Sequence, residues 1–383
     1  MLLEFINTYE NWQELLSNSP YNIKIKQEGD YFLLKYDQLN SPKDDPIVKE
    51  CRGPIVWFDN ELNEWIYVCR PFTRFFNYGE ECAAKIDWKS ARVLEKVDGS
   101  LIKLWYHNGW HVSTSGMIDA VNCNYGEVNF FELFLQAIGY TKESWDKFFA
   151  NKIYDEDDDF WRLNPQTTYL FELVSPLNKL VVPYKETVLY YLGEINNITG
   201  QETYCYTNCR FKAKEVAQIP YINNIKDAVT AANKISADDG EGFVVVDKYF
   251  NRIKIKGEDY LKHFYYRNNG VITKTRVINA IKEEWFDDLW AYDKEARPFM
   301  WKICDNLHRM GNILTARAYQ NKDKIENLSD KEFAFYIKDK YDDSDILSYL
   351  FYVKKTVNPL DGFDWMIKNC TTPRIVRMLG EFE

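Results

Sequence analysis

RVLEKVDGSLIKLWY, residues Arg92 to Tyr106, reads as two β-strands meeting at a turn. Val93, Glu95 and Val97 alternate with Leu94 and Lys96, and Leu101 to Tyr106 is rich in β-formers up to the HNG turn. Asp98-Gly99-Ser100 between them is a turn signal, which predicts a hairpin. Lys96 closes the first strand two residues before Asp98. On a hairpin surface it is an ordinary solvated lysine. Facing a nucleotide it is a nucleophile, and the rest of the chain has to decide between the two.

The chain has 383 residues, 46% of them hydrophobic, enough for two or three folded domains and a substantial core. Its 27 Tyr, 24 Phe and 12 Trp belong mostly to core and rim, although some could stack on bases. A net charge of −10 argues against a coat-like grip on long nucleic acid. It leaves room for a basic site within an acidic shell, engaging nucleic-acid ends or a small anion. The opening MLLEFINTYENWQELL is amphipathic and carries early charges, so no signal peptide is expected. No apolar run reaches transmembrane length, and no membrane partner is expected.

Eight scattered cysteines suit reduced thiols in a cytoplasmic protein better than a disulfide framework. Cys205 and Cys209 lack further zinc ligands nearby and read as structural thiols. The acidic run YDEDDDF, Tyr154 to Phe160, reads as a solvated loop rather than a metal site.

Residues 1–265 are strand-rich. Strands are predicted at YFLLKY, GPIVWF, EWIYVCRP, TTYLFELV, TVLYYLGEI, GEGFVVVDKYF and RIKIKG, with helices at VNFFELFLQAIG and IKDAVTAANKI. This is an α+β domain. Residues 266–383 change to helical periodicity, and SDKEFAFYIKDKY opens with a Ser-x-x-Glu capping pattern. A separate all-α domain is expected there.

Four further stretches bear on Lys96. KECRGPIV places Arg52 and Gly53 ahead of a strand, and CRPFTRFFNYGE interleaves Arg70 and Arg74 with phenylalanines. YLFELVSPLNKLVVPY sets Glu172 among apolar residues, and Glu241 opens another strand in DGEGFVVVDKYFNRIKIKGEDY. In that last stretch Lys254 and Lys256 share one strand face and Ile253 and Ile255 the other. Two ammonium groups on one face repel unless an anion lies between them, and phosphate fits. Carboxylates inside apolar strands need a partner: a metal, a ribose hydroxyl or a lysine. A lysine attacks phosphorus only as the free amine, and its ordinary pKa of about 10.4 falls with nearby cations and partial burial.

Singly, each feature has an ordinary explanation, such as a charged edge strand. Together, in the order Arg-Gly, Lys-x-Asp-Gly, Phe-Glu, Glu-Gly and Lys-x-Lys, they resemble the covalent nucleotidyltransferases, the superfamily of ligases and mRNA-capping enzymes. The flanks ECRG, RPFTRFFN, KVDGSL, FELVSPLNKLVVPY and IKIKGEDY narrow the resemblance to the phage RNA ligase 1 family.

The resemblance implies an antiparallel-sheet nucleotidyltransferase domain over 1–265 and a helical domain over 266–383 that sets RNA specificity. It implies an ATP-dependent RNA ligase using Mg²⁺ or Mn²⁺. Lys96 would carry AMP, and Arg52 and Arg74 would contact the ATP phosphates. Asp98 and Gly99 would let the nucleotide approach the backbone, and Glu172 would lie near the ribose. Glu241 would hold the metal, Lys254 and Lys256 would grip the α-phosphate, and Tyr260 would sit near the nucleotide. Asn178 and Lys179 fall where the family has an Asn-Arg pair. RNA ends, on a single strand or a nicked tRNA loop, would be the substrate, with an end-healing kinase/phosphatase as partner. A monomer is expected, in the host cytoplasm if the source is viral.

Ser115, in STSGM, departs from the family's Ser-Lys-Gly segment, so that lysine's contact is lost or supplied elsewhere. The alternatives are a DNA ligase, a capping guanylyltransferase, or a non-catalytic RNA-binding relative. No OB-like all-β tail follows the Lys-x-Lys strand, which disfavours the first two. Arg309, Arg317, Lys322, Lys324, Lys354, Lys355, Arg374 and Arg377 are either phosphate contacts or solvated helix faces.

Overall fold

The computed structural model describes residues 1–125, 128–151, 163–177, 181–204, 212–266, 272–292, 295–356 and 361–380. The acidic run at Tyr154–Phe160, the Cys205/Cys209 pair and Asn178-Lys179 lie outside them. The chain forms two compact units, Met1–Tyr266 and Arg267–Glu383. Among the described residues no helix is long and apolar enough to cross a membrane.

The first unit opens with helices α1 (Leu2–Thr8) and α2 (Trp12–Ser17), then strands β1 (Ile23–Glu28) and β2 (Tyr31–Tyr36). Helix α3 (Pro46–Glu50) leads into β3 (Arg52–Asp59) and β4 (Glu64–Cys69). These four strands make an antiparallel meander in sequence order. One face is packed by Leu2, Ile6, Trp12 and Leu16 of the amphipathic opening. The α3 start is capped by Asp45, whose carboxylate accepts from the amides of Ile47 and Val48 with proline at the first helical position.

The middle of the chain contains β5 (Phe76–Asn77), β6 (Arg92–Glu95), β7 (Ser100–Tyr106), β8 (Trp110–Thr114), β9 (Asn124–Tyr125) and β10 (Val128–Asn129). Helices α4 (Phe130–Ile138) and α5 (Lys142–Asn151) precede β11 (Thr167–Val174), β12 (Val188–Asn196), β13 (Glu202–Thr203) and β14 (Lys214–Glu215). Helix α6 (Ile225–Ala232), β15 (Gly242–Val246), β16 (Arg252–Lys256) and α7 (Glu258–Tyr266) complete the unit.

A second sheet runs β13-β12-β11-β7-β8, with β14 alongside β12, and a third runs β5-β16-β15-β6. Most pairings are antiparallel; β14 on β12 and β5 on β16 are parallel. Helix α4 presents Leu133, Phe134 and Ile138 to the second sheet, and its start carries an Asn129/Glu132 capping box worth about 1 kcal/mol. Helix α6 covers the third sheet with Ala228 and Ala232 against Phe243, Val245, Ile253 and Ile255.

The hairpin expected at Asp98-Gly99 is not formed. Strand β6 pairs with β15 of the third sheet, whereas β7 pairs with β11 and β8 of the second. Asp98-Gly99 therefore carries the chain from one sheet to another. Local turn chemistry is the same in both cases; the long-range partners differ, and those decide.

The second unit is helical: α8 (Lys274–Lys282), α9 (Phe286–Tyr292), α10 (Arg297–Gln320), α11 (Lys322–Asn327), α12 (Asp330–Lys340), α13 (Ser344–Thr356), α14 (Gly362–Asn369) and α15 (Thr372–Leu379). The expected capping box appears at Ser329/Glu332 on α12. Gly311 of α10 packs against the backbone of Phe363, so close that a Cβ there would lie 2.8 Å from its nitrogen. That contact lets α10 and α14 approach directly.

Candidate active site

Pairing with β15 continues one residue past β6, because the Lys96 amide donates to the Gly242 carbonyl at 2.8 Å. This bond brings Lys96 beside Glu241, the residue before β15. The Glu241 carboxylate is 2% exposed and joins two lysines: Oε2 meets Lys96 Nζ, and Oε1 lies 2.7 Å from Lys256 Nζ. Lys96 and Glu241 are 145 residues apart in sequence. A carboxylate so enclosed is tolerated because both oxygens are paired with cations.

The charged face of β16 runs Arg252, Lys254, Lys256, alternating with the buried Ile253 and Ile255. Lys254 Nζ lies 5.2 Å from the centre of the Phe75 ring, and the Arg52 guanidinium lies 4.7 Å from the same centre. Two cations thus meet one aromatic ring; each contact with the ring is favourable, while the two charges repel one another. Arg74 is buried, with its guanidinium 3.9 Å from the Tyr36 ring and 5.2 Å from Phe76. Arg252 pairs with Glu202 of β13 and lies 4.1 Å from the Phe72 ring, so it ties the third sheet to the second. Desolvation, then the charges of Arg52 and Arg92, press the Arg252 pKa down to about 9.

Asp98 anchors the crossover. Oδ1 accepts from the Tyr260 hydroxyl at 2.8 Å; Oδ2 accepts from the amides of Val181 at 2.8 Å and Val182 at 3.0 Å. Its own amide donates to the Tyr184 hydroxyl at 3.1 Å. Burial first, then the nearby Glu241 charge, raises the Asp98 pKa against the pull of those amides and Lys96. Tyr260 is 2% exposed and committed to Asp98, with its ring stacked on Phe264. Gly99 meets a structural demand beyond the expected nucleotide approach. A Cβ there would sit 2.5 Å from the Leu173 carbonyl and 2.9 Å from Glu172 Cγ, so only glycine lets β11 pass.

Glu172, on β11, is partly buried, and its pKa is pushed up to about 7. Desolvation is the main cause. The negative charges of Glu241 and Asp98 add to it, and Lys96 and Arg52 oppose it. Lys96, Asp98, Glu172, Glu241 and Lys256 therefore form one electrostatic cluster, which Arg52 joins through Glu172, and Arg52 and Lys254 share the Phe75 ring.

Among the described residues no group of three His, Cys, Asp or Glu side chains could cage a metal ion. The donor set suits a divalent ion carried mainly on phosphate oxygens and met by one or two carboxylates, a common Mg²⁺ arrangement. Glu241, Glu172 and Asp98 are the carboxylates that this set contains.

Sequence reasoning missed Arg252 and Tyr184. Arg252 was visible by parity with Lys254. Tyr184 had no signal, since its hydroxyl accepts a hydrogen bond from the Asp98 amide, 86 residues away. Ser115 lies beside this region, its carbonyl oxygen 2.5 Å from where a Gly53 Cβ would be.

Comparison with known proteins gives this arrangement a family. The chain is 35% identical over 258 residues to a protein of Autographa californica nuclear polyhedrosis virus with the provisional name bifunctional polynucleotide kinase/RNA ligase. That match covers 63% of this chain, which spans only 35% of the viral protein's length. The chain is also 24% identical over 350 residues to an RNA ligase of Rhodothermus phage RM378, covering 75% of this chain and 76% of the phage protein. An archaeal ATP-dependent RNA ligase structure aligns over 90% of this chain and 77% of its own, at 12% identity and a TM-score of 0.42. A family model described as RNA ligase matches residues 50–266, more than half of the chain and every residue of the cluster. The chain belongs to this RNA ligase family.

Proposed function

We propose that this member of the RNA ligase family is an ATP-dependent enzyme that joins RNA 5′-phosphate and 3′-hydroxyl ends through a lysyl-AMP intermediate. The observation that carries the reading is the Lys96–Glu241–Lys256 bridge, which joins the Lys-x-Asp-Gly, Glu-Gly and Lys-x-Lys segments in one buried site.

Lys96 Nζ, having given up a proton to solvent, forms a bond to the α-phosphorus of ATP. The bond to the bridging oxygen breaks and pyrophosphate leaves. An oxygen of the RNA 5′-phosphate then attacks the same phosphorus, the N–P bond breaks, and AMP is carried on the RNA end. Finally the 3′-hydroxyl attacks the RNA 5′-phosphorus, loses its proton, and expels AMP as the phosphodiester forms.

In this reading Arg52 and Arg74 meet the ATP phosphates, and Lys254 and Lys256 neutralise charge developing at the α-phosphate. Glu172, protonated in part near neutrality, offers the ribose both a donor and an acceptor. Asp98 and Gly99 hold the turn that aims Lys96, and Tyr260 supports Asp98. A divalent cation, Mg²⁺ or Mn²⁺, would offset the phosphate charge when bound. Both Glu241 oxygens are engaged by lysines, so an ion held at Glu241 would have to take the place of one of them.

The substrate would be RNA ends on a single strand or a nicked tRNA loop. The polynucleotide kinase in the viral relative's name supports an end-healing activity as the partner that supplies 5′-phosphates. The free thiols of Cys51, Cys69, Cys82, Cys123, Cys304 and Cys370 fit a reducing cytoplasm.

The test is incubation with α-labelled ATP and Mg²⁺, with labelled GTP in parallel, followed by a denaturing gel. A band from ATP that Lys96→Ala abolishes is expected. Label retained by Lys96→Ala, or taken only from GTP, would overturn the assignment.

A further inference from the structure

Lys103 lies at the centre of β7, and its side chain has 0% exposure, the most complete enclosure of any charged residue described. A lysine so placed is rare unless it is paired. Among the described residues no carboxylate pairs with it; its ammonium donates to the Gly53 carbonyl. Gly53 itself has a φ of +91°, and a Cβ there would lie 2.5 Å from the Ser115 carbonyl oxygen and 3.5 Å from Lys103 Nζ. Gly53 is thus wedged between the Ser115 backbone and the Lys103 ammonium, and the residue joined to it is Arg52.

The charges around Lys103 are cationic. Burial lowers its pKa most, and Lys35 and Arg52 lower it further, with only the Cys69 thiol opposing them. Lys35 is the register partner of Arg52 across β2 and β3, and its Nζ would stand 3.2 Å from a Cβ placed on Gly116. Arg52, Lys35 and Lys103 therefore converge on the Gly53, Ser115 and Gly116 backbone from three strands. An apolar residue at 103 would fill the same space without the repulsion. Concentrated positive charge beside a nucleotide site is matched by a polyanion, and the triphosphate supplies one.

We infer that Lys103 is a positioning residue for nucleotide capture, acting through the Gly53 carbonyl to hold Arg52 against the ATP triphosphate. The inference rests on the ATP-dependent reading given above. Lys103 does not touch the nucleotide; it fixes the backbone that presents Arg52 and adds its field to that of Arg52 and Lys35.

The test separates this role from ordinary core packing. Lys103→Met keeps the volume and removes the charge. The KM for ATP in lysyl-adenylate formation should rise about tenfold, with the rate at saturating ATP within about threefold of wild type. Sealing of RNA that already carries AMP on its 5′-phosphate needs no triphosphate, and should keep its wild-type rate. Equal loss in both reactions, or no change in the KM, would overturn the inference. Lys103→Gln serves if the methionine variant does not fold, and failure of both to fold would assign Lys103 to the core alone. A wild-type protein that takes no label from ATP would instead defeat the ligase reading, and this inference with it.

Discussion

In residues 1–266 the charges that define the site are enclosed and paired over long sequence distances, whereas in residues 267–383 many charged pairs lie on exposed helix surfaces. Glu241 reaches Lys96 from 145 residues away. Arg309 pairs with Asp305, Lys322 with Glu326 and Lys368 with Asp364, each one helical turn apart. Exposed pairs of that kind add about 0.3–0.5 kcal/mol each. Several basic residues considered as phosphate contacts have structural partners. Lys354 donates to the carbonyls of Ile325 and Leu328, and Arg374 and Arg377 meet Asp345. The difference teaches that a lysine's chemistry is set by what encloses it, and that a count of basic residues says little about a binding face.

The largest expected effect is at Glu241. Glu241→Gln leaves Lys96 and Lys256 side by side without their shared carboxylate. Breaking a buried pair costs about 3–5 kcal/mol, so unfolding by urea should shift accordingly. Lysyl-adenylate formation should fall at least about 100-fold, as expected when a transition-state clamp loses about 3 kcal/mol. A variant that labels within tenfold of wild type would break the contrast between the two units.

Glu172 comes next. Its native pKa of about 7 stands above the ordinary 4.5, so the folded state holds its proton more tightly than the unfolded chain does. The stability this contributes is complete below about 4.5 and is lost as pH rises to about 7, which fixes the sign. Allowing for its partial solvation, the loss is about 2 kcal/mol. Glu172→Gln should flatten that part of the stability curve, read by denaturation at pH 4.5 and pH 8. Parallel curves for the two proteins would remove Glu172 from the enclosed cluster.

The smallest effects belong to the helical unit. Arg309→Ala and Lys368→Ala should each change stability by no more than about 0.5 kcal/mol, measured as a shift in urea midpoint. A loss above 1.5 kcal/mol from either would show that charge in this unit is also structural.

Much of this was legible along the chain. The parity of Lys254 and Lys256, the helix at Phe130–Ile138 and the Ser329/Glu332 cap follow from periods of two and 3.6 and from capping chemistry. Glu172 and Glu241 were identifiable as carboxylates needing partners, because apolar strands flank both. The strands at Ile23–Glu28 and Trp110–Thr114 and the helices at Lys142–Asn151 and Thr372–Leu379 were not singled out. Each is only five to ten residues long, too short for its period to stand out from the flanking turns. The supports of Asp98 were also invisible, since the amides of Val181 and Val182 are backbone groups that any residue there would provide.

By itself the sequence determined which residues could do chemistry, their strand faces, and the change from a sheet-built region to a helical one. These depend on side-chain type and on the spacing of near neighbours. Only the tertiary structure decided that Asp98-Gly99 crosses between two sheets, that Glu241 joins Lys96 to Lys256, and that Lys103 is enclosed with its ammonium on the Gly53 carbonyl. Those outcomes depend on which distant strand wins each row of hydrogen bonds, and burial then changes what each charge costs. A one-dimensional pattern contains the candidates for that competition but not its result.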